Sequence, residues 1–390
     1  MKILYIHTYY RQRGGEDNVY ETERKLKETG GCKTDAVLFN NRKFAAFKFI
    51  FVLFNPISFI QVYRKLGQFR PDIVHIHNWF FGASPSVFLA ARMRKIPVVH
   101  TIHNFRILCP SAFLYDNRGP FLDSVKRLFP LKAIANRVYR DSYFFTFWLA
   151  VCTRLHYLFR TWQSIDRLVA LTDNAKNILI NSYLKIGPDK VMVKPNFFMI
   201  PSGEQRATIN ASRNESLLFV GRLSEEKGID QLLASFTKST YSLVIIGDGP
   251  LRPVVEQYIL HNSRVTYLGF QNNERVIEEM CKCSALIFPS VCYEQFGLTI
   301  IEAFSCGTPV IASDSGSPVE LVCHGFNGLH FKTGSANDLE ITIDYWFRMP
   351  KERQRPFYQH ALETYQQYYT ADVNFEKLSF IYSSVQHEKK

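Results

Sequence analysis

Between Ala36 and Pro71 the chain carries no acidic residue, while Arg42, Lys43, Lys48, Arg64, Lys65 and Arg70 supply positive charge. It has no C-x-x-C pair, no internal repeat and no low-complexity tract. It also lacks an unbroken apolar run of the roughly 20 residues that a membrane-spanning helix needs. Each absence excludes something. Without paired spacing, the eight cysteines (Cys32, Cys109, Cys152, Cys281, Cys283, Cys292, Cys306 and Cys323) form neither a zinc site nor a secreted disulfide framework. Set mostly in apolar segments, they read as reduced thiols. The start MKILYIHTYY has one lysine, no long apolar core and no cleavage-like site, so it reads as a first strand and not a leader.

What is present is a globular composition. With 390 residues, 46% apolar and 21% charged, the chain is long for one domain and comfortable for two. Its net charge of +12 is uneven. The acid-free stretch contains FAAFKFIFVLFNPISFI, and KAIANRVYRDSYFFTFWLAVCTRLHYLFR (Lys132 to Arg160) repeats the basic-aromatic combination. Basic side chains beside Phe and Trp suit helices lying in the headgroup layer of an anionic membrane. Ordinary core helices with basic flanks are the other reading. Nucleic acid is not expected as a partner, because no groove-reading motif accompanies the charge.

Short apolar runs alternate with helix-length amphipathic segments. KILYIH, DAVLF, DIVHIH, PVVHTIH, RLVALT and KVMVK are strand candidates before Ile200. PSGEQRATINASRNES then reads as a linker, after which SLLFVGR, SLVIIGDG, VTYLGF, ALIFPS, TPVIAS and GLHF restart the pattern. Strands alternating with helices predict an α/β fold of parallel sheets covered on both faces, here two Rossmann-like domains facing across a cleft. SAND (Ser335 to Asp338) has the character of a helix start, and the chain beyond it is predicted helical.

Open parallel sheets take ligands beyond the carboxyl ends of their strands. In FVGRLSEEKGI, Gly221 ends a strand, and Arg222 and Lys227 flank a helix start, a combination that makes a phosphate site. VIIGDGP is a Gly-rich turn that a strand end can carry simply in order to turn. YEQFGLTIIEAFSCGTPVIAS places Glu294 and Glu302 on either side of a helix start near Phe296, with Gly307 after the helix. Eight helical residues rise on the order of 12 Å, about the length of a sugar-diphosphate-ribose ligand. Glu294 and Glu302 would then accept hydroxyls at its two ends, with the amides of Phe296, Gly297 and Leu298 over the phosphates. Two acids on a solvated helix face would explain neither the Phe-Gly between them nor the strand before them.

EQFGLTIIEAFSCGTPVIAS, followed by Glu320, Gly325 and Asn327 to Leu329, resembles the signature of retaining glycosyltransferase family 4, of GT-B fold, and GRLSEEKG resembles its Arg…Lys motif. The resemblance implies an acceptor-binding domain over residues 1–200 and a nucleotide-sugar-binding domain over 201–390, with the last helices, from about residue 345, crossing back. It implies that Arg222 and Lys227 hold the donor diphosphate, that Glu302 holds the ribose and that Glu294 touches the transferred sugar. RQRGGEDN looks like the family's glycine-rich loop, so Gly14 and Gly15 would approach the donor phosphate or the acceptor; a plain tight turn is the alternative. Glu16 there suits a helix N-terminus. His103, in VVHTIHNFRILCP, is the catalytic candidate, while His75, His77 and His100 read as packing or orienting residues. Gly269 and Phe270 are placed near the base.

The expected reaction moves a sugar from a nucleotide diphosphate sugar to an acceptor hydroxyl, with retention and without cofactor or metal. The absence of an Asp-x-Asp triplet agrees with metal independence. The acceptor expected is a lipid-linked glycan of bacterial surface polysaccharide, handled by a cytoplasmic protein peripheral on the plasma membrane. A nucleotide-sugar epimerase of similar architecture and a catalytically silent binding partner are the rival readings.

Overall fold

The computed structural model describes residues 1–10, 14–41, 46–116, 119–200 and 213–387. Arg42, Lys43 and most of the linker, residues 201–212, lie outside the described residues, as do positions 11–13 of the first glycine-rich loop. Two six-stranded parallel sheets organise the chain. The first contains β1 (Lys2–Tyr9), β2 (Lys33–Asn40), β3 (Ile73–Ile76), β4 (Val98–Thr101), β5 (Arg167–Ala170) and β6 (Val191–Val193), in the order β2-β1-β3-β4-β5-β6. The second contains β7 (Ser216–Val220), β8 (Ser242–Ile246), β9 (Val265–Tyr267), β10 (Ala285–Phe288), β11 (Val310–Ser313) and β12 (Gly328–Phe331), in the order β9-β8-β7-β10-β11-β12.

Central strands such as β3, β4 and β10 are buried at every position, which is why they read as continuous apolar runs. Chain order reverses around β1 in one sheet and around β7 in the other, and at such switch points the loops beyond the strands diverge and leave a crevice. Both clusters described below lie there.

The helices that matter for the sites are α1 (Gly15–Thr29), α2 (Pro56–Phe69), α3 (Tyr143–Leu158), α4 (Leu298–Ser305) and α5 (Ala371–His387). One compact unit comprises Met1–Asn117, Phe121–Asn196 and Ala371–Lys390; the other is chiefly Phe197–Thr370. Although α5 is last in sequence, it completes the first unit. Its Leu378, Ile381, Tyr382 and Val385 share a core with Ile3, Tyr5, Ile73, Val99 and Val169. Lys27 of α1 pins it: the ammonium donates to the Phe375 carbonyl (3.1 Å) and the Ser379 hydroxyl and lies 3.8 Å above the Phe375 ring. Burial there pulls the Lys27 pKa down to about 8.

The return to the first unit begins at Ala371 rather than near residue 345. Trp346, Phe357 and Tyr358 are buried in the second unit's core and hold the preceding helices there. Ser335 caps the first of these helices, accepting from the Asp338 amide at 3.2 Å.

Replacing the fully buried Leu378 with alanine is expected to cost about 2–5 kcal/mol in urea denaturation of the full chain. A loss under about 0.5 kcal/mol, the scale of a surface substitution, would show that α5 is not part of that core.

Candidate functional site

In the second unit, the chain leaves β7 through Gly221 and the exposed Arg222 and enters a short 3-10 turn, Glu225–Lys227, that ends on Gly228. Gly228 has φ +72°, and a Cβ there would collide with the Pro289 carbonyl oxygen just beyond β10. Only glycine lets these two strand-end loops meet. They are stitched together where they touch: the Val291 amide donates to the Glu226 carbonyl (3.0 Å), and the Ser290 hydroxyl oxygen lies 3.1 Å from that carbonyl. The Gly-Asp-Gly turn after β8 packs on the same loop, with the Leu223 amide donating to the Asp248 carbonyl at 3.0 Å.

This stitching puts Lys227 on Glu294. The ammonium pairs with Glu294 Oε1, and the Ser290 hydroxyl donates to the same oxygen at 2.7 Å. Burial opposes the lysine's charge, but Glu294 outweighs it and holds the Lys227 pKa above the ordinary value. Burial also pushes the neighbouring Cys292 thiol up. The sequence reading gives these two side chains to different parts of a ligand, diphosphate and sugar. In the structure they touch, because the loops that carry them are docked. Arg222 has no ion pair among the described residues.

Gly297 is the N-cap of α4, which starts at Leu298, two residues after the expected Phe296. The amides of Phe296, Gly297 and Leu298 therefore stand at a helix entrance without intrahelical acceptors, next to the Lys227–Glu294 pair in sequence and fold. Glu302 lies one turn further along. It is half-buried, its carboxylate has no partner among the described residues, and burial pushes its pKa up to about 7.

The first unit holds a second cluster. Gly14 has ordinary extended backbone, and a side chain there would meet nothing within 4 Å, so the protein's own packing does not demand glycine. Its amide donates to Asp17 Oδ2 (3.0 Å), while Asp17 Oδ1 lies 2.7 Å from His7 Nε2. Gly15 opens α1. Glu16 does more than face a helix dipole. Asn78 Nδ2 donates to its carboxylate at 2.8 Å, and burial, reinforced by Asp17, raises its pKa to about 8 against the opposing pull of Arg106, Tyr10 and Asn104. His103 Nε2 lies 3.0 Å from His77 Nδ1. His75 and His100 lie in strands and are wholly buried.

Glu23 and Lys194, both fully buried, form a 2.6 Å ion pair behind these histidines. The sequence reading missed them and the role of Glu16. The signal was present in α1, where Tyr20, Glu23 and Lys27 follow helical spacing on the buried face, so two charges occupy apolar positions. Glu23, His75 and His77 are the one group of potential metal ligands among the described residues, with ligand atoms within 4.8 Å of one another.

Residues 21–198 match the family model described as Glycosyltransferase Family 4, and residues 203–361 match that of Glycosyl transferases group 1. The chain belongs to the retaining glycosyltransferases of family 4. A curated relative, an uncharacterized glycosyltransferase of Methanocaldococcus jannaschii, is 32% identical over 45% of this chain, which spans half the length of that protein. An uncharacterized protein in the cps region of Klebsiella pneumoniae is 29% identical over 77% of both chains. Anabaena HepE, solved in complex with UDP, shares the fold at 18% identity and a TM-score of 0.68, covering 98% of this chain and 100% of its own.

The half-buried Glu302 gives this glycosyltransferase a testable pH signature. Its folded pKa, about 7, lies above the unfolded carboxyl value, so its contribution is fully present below about pH 4 and is lost as pH rises through 7. Glu302→Gln is therefore expected to stabilise the protein at pH 8 by on the order of 1–2 kcal/mol, after allowance for solvent screening, and to have little effect at pH 4. Equal shifts at both pH values in chemical denaturation would count against the desolvated, unpaired carboxylate.

Proposed function

We propose that this family 4 glycosyltransferase moves a hexosyl group from a uridine diphosphate sugar to a hydroxyl of a lipid-linked glycan. The observation that carries the reading is the β7–β10 switch point. Lys227 and Glu294 pair where the connections after β7 and β10 dock, and those two connections also carry Arg222 and the entrance to α4, with Glu302 one turn along that helix, at the kind of crevice where parallel sheets take nucleotides. HepE, of the same fold, has also been solved with UDP-glucose, which supports a uridine donor.

Arg222 and Lys227 would grip the diphosphate together with the amides of Phe296, Gly297 and Leu298. The carboxylate of Glu302 would take the ribose hydroxyls, and that of Glu294 the sugar hydroxyls. Gly269, with φ +69°, and the exposed Phe270 form the base end. His103, with Gly14 and Gly15, serves the transferred sugar and the acceptor. As the bond from the sugar's anomeric carbon to phosphate breaks, the acceptor oxygen bonds to that carbon on the same face. Its proton passes to the departing phosphate oxygen, and the cations and amides stabilise the charge that develops there.

The acceptor side rests on surface chemistry. The turn Ala46–Val52 and the residues after it seat on α3: Trp148 Nε1 donates to the Phe49 carbonyl (3.0 Å), and His156 Nε2 lies 2.8 Å from the Leu53 carbonyl. The two basic-aromatic stretches thus form one region. They leave Ile50, Ile57, Phe144, Phe147, Leu158 and Phe159 exposed, and the second stretch also carries Lys132 and Arg137, which pair with Asp123 and Asp141. No helix among the described residues is long and apolar enough to cross a membrane. A protein peripheral on the cytoplasmic face of an anionic membrane, adding sugars to a surface polysaccharide precursor, fits this surface, and the cps-region relative supports that setting.

Lys227→Ala or Glu294→Ala is expected to lower acceptor-dependent release of UDP by at least about 10²-fold while the circular dichroism spectrum stays native. Near-normal turnover in either variant would remove these assignments, and sugar conversion without any acceptor would mark an epimerase instead. In sedimentation with phosphatidylserine–phosphatidylcholine vesicles, Phe144→Glu combined with Ile57→Glu is expected to weaken binding about tenfold. Unchanged binding would exclude this face.

A further inference from the structure

The catalytic candidate His103 ends a chain of buried groups whose protons are determined by the first one. Glu23 Oε2 holds Lys194 at 2.6 Å, and its other oxygen, Oε1, faces His77 Nε2 at 3.3 Å. Both atoms are buried and neither completes a hydrogen bond, so the approach is an electrostatic one, with His75 Nδ1 3.5 Å from the same oxygen. Burial opposes ionisation of Glu23, but Lys194 and His77 outweigh it and hold the carboxyl well below its usual range. An ionised carboxylate only accepts and repels a bare ring nitrogen, so at 3.3 Å it favours the tautomer that carries the proton on His77 Nε2. A neutral His77 then has a bare Nδ1, and Nδ1 lies 3.0 Å from His103 Nε2, which must bring the hydrogen. That leaves His103 Nδ1 as a lone pair with no protein partner among the described residues. Burial first, and then the neighbouring His77, keep His103 well below the ordinary histidine pKa, so the ring stays neutral.

The surroundings reinforce this assignment. His75 is committed on both sides, Nδ1 to the Tyr382 hydroxyl (2.7 Å) and Nε2 to the Thr101 hydroxyl (2.8 Å). His7 is committed to Asp17. A metal ion among Glu23, His75 and His77 would compete with the Lys194 ammonium for the same carboxylate.

We propose that Glu23 and His77 are positioning residues that lock His103 as a hydrogen-bond acceptor, so that the transferred sugar must present a hydroxyl hydrogen to its Nδ1. This rests on the reading of His103 as the group facing that sugar. It makes the histidine a selector for a hydroxylated carbon, not a proton donor. A donor sugar that is deoxy at that carbon loses the contact.

The test is the ring tautomer of His103 in the full chain labelled with 15N-histidine. Long-range 1H–15N correlation reads it, with the signal assigned by its loss in His103→Gln. A neutral ring with the proton on Nε2 between pH 6 and 8 is expected; a proton on Nδ1, or an imidazolium, overturns the proposal. Glu23→Gln, combined with Lys194→Met so that no buried ammonium is left unpaired, offers His77 a donor amide. Both rings should reverse, and kcat should fall about 10²-fold while KM for the nucleotide sugar changes less than about threefold. Reversed tautomers with unchanged kcat overturn the link to the reaction. If instead His103→Ala turns over normally while the wild-type ring shows the expected tautomer, the catalytic reading of His103 falls and the proton chain stands.

Discussion

The second unit depends on one close approach, that of the Gly228 backbone to the Pro289 carbonyl. Because that approach admits no side chain, the loops after β7 and β10 dock as rigid partners, and the Lys227 ammonium is delivered to Glu294. The pair keeps a cation and an acid ordered at the mouth of α4. On the proposed reading, a donor diphosphate would give Lys227 a second, anionic partner, and the sugar hydroxyls would donate to Glu294, so the ion pair would order both groups before the ligand arrives.

The first unit solves a different problem, that of holding charges in a core. Glu23 and Lys194 are wholly buried, and breaking such a pair by removing one partner typically costs about 3–5 kcal/mol. Their retention fits a role in setting the protons of the histidines in front of them. Tyr382 of α5 contacts both His75 and Tyr5, so the last helix of the chain supports the same cluster that the first strand and first helix build. A core made from both ends of the sequence is one reason for a chain to cross back.

Much of this was legible in the sequence. All twelve main-sheet strands fall on the apolar runs read as strands, because buried parallel strands are apolar on both faces and short. The α4 segment was legible because Gly297, Glu302 and Gly307 are spaced by local helix geometry. The Lys227–Glu294 contact and the Glu23–His77–His103 chain were not. Each joins loops or elements far apart in sequence, and side-chain periodicity carries no information about which strand ends meet. Glu16 was read only as a helix-dipole partner, since its neighbours Asn78 and Asn104 come from the ends of other strands.

The amino-acid order by itself determined the strands, the helices, the family motif and the residue types at the site, because these follow from local periodicity and turn chemistry. Tertiary structure alone decided which charges pair, which carboxyls lose their water and which nitrogen of His103 is bare. Those properties arise from burial and from contacts between segments that only the folded sheets bring together.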